Sequence, residues 1–383
     1  MTINRRREDF PTLSSGIHLL SHSLGPVPRS ARESMLSYCD AWENHTSEDA
    51  WATSWWELSQ RVGDRIAHVL GGATGSVQIQ PNASIALATI ASCFDFHASR
   101  RNKIVTSALD FPSMEYIWDA QKKSGARIHI VPTDDGISVA IERVLEAIDD
   151  ETCLVALSHT SYRSSFRIDV PPLIERARQK GALVLLDVYQ SAGVVPLEAE
   201  KWGVDFLIGG TIKWLCGGPA CGYLYVRPDL QRDLKPRLTG WVAHDAPFEF
   251  AAAPMRYARS VRRFAQGTPS IPALYSALPG LSITEALTID TIADESRRRT
   301  QWMIDFAFDR GWPINSPREP ERRGGSVMIG VPDGPHMVES LAKQQVFVDC
   351  RPQAGLRISP HFFNTDDEVA EAMNILDALL KSV

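Results

Sequence analysis

From about residue 60 to residue 230 the chain alternates between two hydrophobic periods. Residues 55–70 repeat apolar side chains at three-and-four spacing, the mark of a helix with one buried face. Residues 77–80 are short and strand-like, and 83–96 read as a mostly apolar helix. Strands are then predicted at 103–106, 127–132, 154–158, 183–187, 204–208 and 222–226, with helices at 115–124, 140–148 and 171–180 between them. Such alternation predicts an α/β fold, a mostly parallel sheet covered by helices on both faces. Beyond residue 230 the pattern changes. A proline-rich connector at 235–254 leads to a long helical stretch from 270 to about 310, and 327–383 reads strand, helix, strand, helix. The division expected is 1–250 for an N-terminal arm and large domain, and 251–383 for a connecting helix and a smaller α+β domain.

Ligands of open α/β sheets sit beyond the carboxyl ends of the strands. Asn82-Ala83-Ser84, Phe111, His159, Asp187 and Lys213 each follow a predicted strand, so the topology carries residues distant in sequence to one sheet edge. Lys213 follows Gly209-Gly210-Thr211-Ile212, and Asp187 ends the run Leu183-Val184-Leu185-Leu186. A lysine amine condenses with an aldehyde as a Schiff base, and a carboxylate holds a pyridine nitrogen protonated. Pyridoxal phosphate needs both. The plainer alternatives are a surface lysine after an edge strand and a helix N-cap aspartate. Ser84, with backbone N–H groups at a helix start, suits a phosphate; Asn82 or Ser84 as an ordinary N-cap is the alternative.

The motifs extend nearly end to end: His22-Ser23-Leu24-Gly25-Pro26-Val27-Pro28, Phe111-Pro112-Ser113, Ser158-His159-Thr160-Ser161-Tyr162, Asp187-Val188-Tyr189-Gln190-Ser191, Trp202-Gly203-Val204-Asp205-Phe206, Thr211-Ile212-Lys213, Gly240-Trp241-Val242-Ala243-His244 and Gly267-Thr268-Pro269. In this order and spacing the chain resembles the fold-type I, class V aminotransferase superfamily, most closely the kynureninases. The resemblance implies a seven-stranded-type sheet and a pyridoxal 5'-phosphate enzyme in which Lys213 forms the Schiff base and abstracts the α-proton of an amino acid. Asp187 would face the ring nitrogen, Phe111 would cover the ring, and Gln190 would reach its phenolate oxygen. Ala83, Ser84 and Thr211 would bind the phosphate, and His159 would join the cofactor set. Trp241 would donate its indole N–H to phosphate or substrate, with core or subunit packing as the alternative. Thr268 would cross into the neighbouring subunit's site, which makes the enzyme a homodimer. Arg357, in Leu356-Arg357-Ile358-Ser359-Pro360, would take the substrate carboxylate bidentately, with Arg351 as its competitor and a surface salt bridge as the alternative. His22, Ser23 and Tyr162 complete the implied substrate set.

Three residues depart from the kynureninase pattern. Met114 stands where an acid is usual three residues after the phenylalanine, Ile212 where a tyrosine precedes the lysine, and Gln190 where histidine is usual. Transamination, β-elimination and hydrolytic C–C cleavage therefore all stay open, as does a fold that binds the cofactor without catalysis. Desulfurase chemistry needs a cysteine on a mobile loop, whereas Cys350 ends a strand-like run at 346–350.

With 383 residues, 44% of them hydrophobic, the chain can bury a large core. A net charge of -6 gives no reason to expect nucleic acid or an anionic membrane as a partner. The arginines of residues 256–263 read as a solvated face or a subunit contact. The six cysteines match no zinc spacing, and packed thiols suit a reducing compartment. No apolar region follows the basic start, so no secretory signal is read there and a cytoplasmic location is expected. No metalloprotease, nucleophile-elbow or dinucleotide-binding motif is read in the required context.

Overall fold

The computed structural model describes residues 6–44, 46–97, 99–250 and 252–382. The first five residues of the basic N-terminal stretch lie outside these, as does Ala251, where the sequence places the start of the smaller domain. After a two-residue strand β1 (Ile17–His18) come β2 (Val77–Gln80), β3 (Lys103–Ser107), β4 (Arg127–Val131), β5 (Thr152–Ser158), β6 (Leu183–Asp187), β7 (Phe206–Gly210) and β8 (Gly222–Val226). Strands β2 to β8 form one seven-stranded sheet in the order β2-β8-β7-β6-β5-β3-β4. Neighbours are parallel except at β8, which runs antiparallel to β2 and β7. Strands covered on both faces lose their polar alternation and become apolar runs, and β5, β6 and β7 are buried almost throughout. Leu185 and Leu186 fall in opposite cores, as a period of two requires.

These strands lie within two residues of the predicted bounds; β7 runs on because Gly209 and Gly210 pair with Tyr223 and Gly222. The helix predicted over 83–96 stops at Ala91. Phe94 and Phe96 turn aside and stack on each other, with ring centroids 5.6 Å apart, so packing overrides the continuing apolar run. Helix Ser30–Glu43 has no counterpart in the sequence reading, because only Ala31 among its residues is buried and its period is weak. It is held by the Ser34 hydroxyl, which donates to Tyr275 O at 2.6 Å, and by Tyr38 against Tyr275. The long helical stretch is two helices, Ile271–Leu287 and Ile289–Asp309. Thr288 separates them with φ of 65°, and its side chain caps the second helix by accepting from Thr291 N.

The C-terminal part holds β9 (Val327–Ile329), β10 (Val346–Phe347), β11 (Asp349–Arg351) and β12 (Gly355–Ile358). An antiparallel sheet β11-β12-β9 packs with helices Gly334–Lys343 and Asp366–Lys381 around Met303, Val327, Leu341, Leu356 and Leu376. The continuous strand expected over 346–350 is corrected: β10 pairs with β1, and β11 belongs to the other sheet. No helix among the described residues is long and apolar enough to cross a membrane.

The register fixes what lies at the active edge. Ser158 pairs with Asp187, Asp187 with Ile208, and Gly210 with Gly222, which also pairs with Gln80. The carboxyl ends of β2, β5, β6 and β7 therefore open on one side.

Candidate active site

A cavity of about 260 Å³ lies at that edge. Asn82, Ala83 and Ser84 form one wall, Phe111, Met114 and Tyr162 another, and Asp187, Tyr189, Gln190 and Lys213 the floor between them. Of the residues singled out in sequence, Ala83, Ser84, Phe111, Tyr162, Asp187, Gln190 and Lys213 thus meet at one place.

Two groups in this cavity lack the partners that buried charge demands. The Lys213 amine lies 4.3 Å from the centre of the Tyr189 ring and 5.9 Å from that of Phe111. Among the described residues it makes no hydrogen bond or ion pair. Burial lowers its pKa to about 8, with the Asp187 carboxylate acting in the opposite sense. Asp187 accepts one hydrogen bond, from Tyr189 N to Oδ1 at 2.9 Å, and its Oδ2 has no donor among the described residues. Burial raises its pKa to about 6 against the pull of that N–H and of Lys213.

At the opposite wall Asn82 caps helix Ala83–Ala91, its Oδ1 accepting from Ile85 N at 2.9 Å. The backbone N–H groups of Ala83 and Ser84, with the Ser84 hydroxyl, keep no acceptor among the described residues. They are the free donors a helix start leaves for an anion. Phe111 leans edge-on against Tyr162, with centroids 5.0 Å apart. Beneath it Asp110 ties two strand ends together: Oδ2 accepts from Thr106 Oγ1 at 2.7 Å and Ser107 N at 2.8 Å, and Oδ1 from Ser158 N at 2.6 Å. Burial raises its pKa in spite of these bonds.

A second polar cluster stands behind the first. Gln190 donates Nε2–H to His22 O at 3.0 Å and accepts from Trp214 Nε1 at 3.2 Å, which leaves one amide N–H free. His22 places Nε2 2.9 Å from Asp349 Oδ1 and Nδ1 2.6 Å from Ser359 Oγ. Burial lowers its pKa to about 4, so the ring is neutral. Arg357 donates Nε–H to Asp349 Oδ1 at 2.8 Å and Nη2–H to Oδ2 at 2.6 Å, while Nη1–H reaches Tyr162 O at 3.1 Å. Arg351 Nη2 joins Asp349 at 3.0 Å. Burial disfavours the ionised Asp349 carboxylate, but the bonds from His22 and Arg357 outweigh it and hold the group well below the usual range. The fork assigned from sequence to a substrate carboxylate is thus already occupied by an internal one.

Several expectations are corrected. His159 lies between Ser158 and Thr160, both of which line the cavity, and faces the other way. Its Nδ1 is 2.7 Å from Ser191 Oγ and its ring packs on Trp202. Thr211 is fully buried and its hydroxyl donates to Gly218 O at 3.3 Å, so it presents nothing to the cavity. Trp241 packs against Trp56, and exposed Thr268 lines a different cavity of about 300 Å³ beside Gln80 and Pro81; within one chain neither reaches Lys213, and the role expected for Thr268 concerns a neighbouring subunit's site. Ser23 is not on the cavity wall, and its backbone N–H bonds to Leu20 O at 2.8 Å. Cys350 pairs with Leu356 inside β11, in a strand as the sequence reading has it. Asp349 and the structural part of Asp110 escaped sequence reading because their partners lie elsewhere in the chain. Tyr189 belongs to the motif that runs from Asp187 to Gln190, and its place beside two candidate residues is the signal that points to it.

The arrangement offers a half-buried amine, an acceptor without a donor, a flat aromatic cover and an anion cradle. These complement a planar aldehyde with a basic ring nitrogen and an anionic tail. Comparison with known proteins points the same way. The family model for class V aminotransferases matches residues 27–311, and that for the kynureninase C-terminal domain matches residues 292–376. An uncharacterised aminotransferase of Bacillus subtilis is 29% identical over 97% of this chain and 96% of its own length. A kynureninase of Pseudomonas fluorescens is 30% identical over 98% and 91%. A solved cysteine desulfurase from Thermococcus onnurineus superposes with a TM-score of 0.87 at 21% identity, covering 99% of this chain and 98% of the other; that likeness speaks to the fold alone.

Proposed function

The chain belongs to the class V aminotransferase family of pyridoxal-phosphate-dependent enzymes, and from that premise we propose that it acts on an amino-acid substrate through Lys213 and Asp187. When bound, pyridoxal phosphate supplies an aldehyde carbon that captures amines and a ring that delocalises negative charge. Lys213 Nζ would hold the cofactor through its aldehyde carbon and would serve as the base at the substrate's α-carbon. Asp187 Oδ2 would keep a proton on the ring nitrogen. Phe111 would cover the ring, the free Gln190 N–H would serve its oxygen, and the donors of Ala83 and Ser84 would hold the phosphate. A substrate carboxylate at Arg357 has to share or displace Asp349.

The observation that carries this reading is the meeting of an unpartnered lysine amine and a half-satisfied buried carboxylate in one cavity. The test is the visible absorption of the purified protein with pyridoxal phosphate, followed through a screen of amino acids. A band that one amino acid alters, with a new product, supports the enzyme. A band that none alters supports a binding protein instead.

The kynureninase likeness in the C-terminal part supports a kynureninase-like relative working on another substrate. Ordinary kynurenine hydrolysis is expected to be slow. Ile212 next to Lys213 offers no proton, Met114 is apolar and buried, and Gln190 does not titrate. Loss of a positioned acid or base costs about 10²–10⁴-fold. Anthranilate release at a kcat of about 1 s⁻¹ or more, within the ordinary enzyme range, would show that these departures do not matter.

We also propose a homodimer in which Thr268 and Trp241 serve the partner's site. Trp241, Phe248 and Phe250 leave an exposed aromatic group beside Trp56, and exposed apolar clusters mark contacts. Sedimentation should give a dimer, and Thr268→Ala should retain cofactor less well. A monomer that turns over substrate would contradict this arrangement.

A further inference from the structure

Tyr189 has no part in the chemistry described so far, yet its ring faces the Lys213 amine at 4.3 Å and lines the same cavity. Its hydroxyl makes no hydrogen bond among the described residues. The position of that hydroxyl is set by a missing side chain. A Cβ on Gly210 would lie 2.7 Å from the Tyr189 ring carbon that bears the hydroxyl, and closer still to the oxygen itself. The phenol therefore occupies the space above Gly210 that any other residue would fill.

Gly210 pairs directly with Gly222 across β7 and β8. A Cβ on Gly222 would lie 2.6 Å from Asn82 Cα and 2.7 Å from Asn82 C. Directly paired positions project to the same face of a sheet, with Cβ sites about 4.5–5.5 Å apart. The Tyr189 hydroxyl and the residue that caps helix Ala83–Ala91 thus approach one glycine pair from the same face of the sheet. Ala83, Ser84 and Tyr189 all line the cavity that holds Lys213.

We propose that Tyr189 is a phosphate-binding residue, its hydroxyl donating to the cofactor's phosphate from the side opposite helix Ala83–Ala91 while its ring seats the Lys213 amine. This rests on the cradle assigned above to Ala83 and Ser84. The phenol takes the place of the Thr211 hydroxyl, which is turned to the backbone, and of any donor at Ile212. Burial raises its pKa to about 12, so near neutral pH it stays protonated and able to donate.

The test compares pyridoxal phosphate with pyridoxal, which lacks the phosphate, on the full-length chain freed of cofactor. Tyr189→Phe keeps the ring and removes only the donor. Its dissociation constant for pyridoxal phosphate should rise about tenfold to a hundredfold, the range of one hydrogen bond to a charged group, while that for pyridoxal stays unchanged. The phosphorus resonance of the bound cofactor should shift as well. Equal weakening toward both ligands would place the phenol at the ring or lysine and overturn the inference. Ser84→Ala separates the two layers of the argument. If Ser84→Ala weakens pyridoxal phosphate alone and Tyr189→Phe does not, the cradle stands and Tyr189 is no part of it. If neither variant distinguishes the two ligands, the cradle itself is wrong.

Discussion

Lys213→Ala is expected to abolish borohydride-stable attachment of pyridoxal phosphate and to bring turnover down to background. The amine is the group of this cavity that can bond the aldehyde, and in the proposed function it is also the base at the substrate's α-carbon. Losing the base alone costs about 10²–10⁴-fold, and losing the nucleophile removes the resting attachment. Reduction of the wild-type holoprotein, followed by peptide mapping, should place the adduct on the peptide containing Lys213; an adduct on any other lysine sinks the assignment. The environment adds a pH signature. The amine attacks only when neutral, and burial brings its pKa down to about 8. Capture of pyridoxal phosphate by the cofactor-free protein should therefore be slow at pH 6, accelerate through pH 8 and level off above it. An ordinary solvated lysine would still be accelerating at pH 10. A capture rate that is flat between pH 6 and 9 would contradict the assignment.

Asp187→Asn is expected to leave the cofactor bound and proton abstraction crippled. A neutral amide cannot hold a positive charge on the ring nitrogen, and removing one preorganised electrostatic partner costs about 2.7–4 kcal/mol of transition-state stabilisation, or about two to three orders of magnitude in rate. The same substitution should not destabilise the cofactor-free fold. Burial raises the folded-state pKa to about 6, whereas the unfolded value is about 3.9. Between those values the folded state binds more protons than the unfolded one, so stability falls as pH rises through the window, and the cost persists above it. Asparagine has no such charge to bury, so the variant should melt no lower than wild type at pH 8. A variant with near-normal turnover refutes the role; one that melts well below wild type makes Asp187 a structural residue.

The roles expected from sequence survive unevenly, and particular residues show why. Lys213 and Asp187 could be read because each ends an apolar run, and the strand-end rule then places both at one edge. Ser84 and Ala83 were legible as a helix start after a strand. His159 and Thr211 were drawn into the cofactor set by motif position, but a residue next to a cavity-facing one in extended chain points to the opposite side. Ser158 and Thr160 took the cavity, and His159 went to Ser191. Arg357 was legible as a bidentate cation, but its present partner was not. Asp349 belongs to a neighbouring short strand, and its register with Arg357 is a matter of sheet pairing.

The sequence by itself determined the class of fold, the order of the strands of the large sheet along the chain, and the two groups on which the proposed chemistry rests. Those properties follow from local periods of two and 3.6 and from the cost of ending an apolar strand in a carboxylate. Only the tertiary structure decided which faces turn inward and which pairs close. His22 meets Asp349 across 327 residues, and the space above Gly210 is filled by a phenol from the turn after β6. No period in the sequence encodes either, because both depend on where separate strands stop relative to one another. At that resolution a shift of one residue exchanges the cavity face for the core.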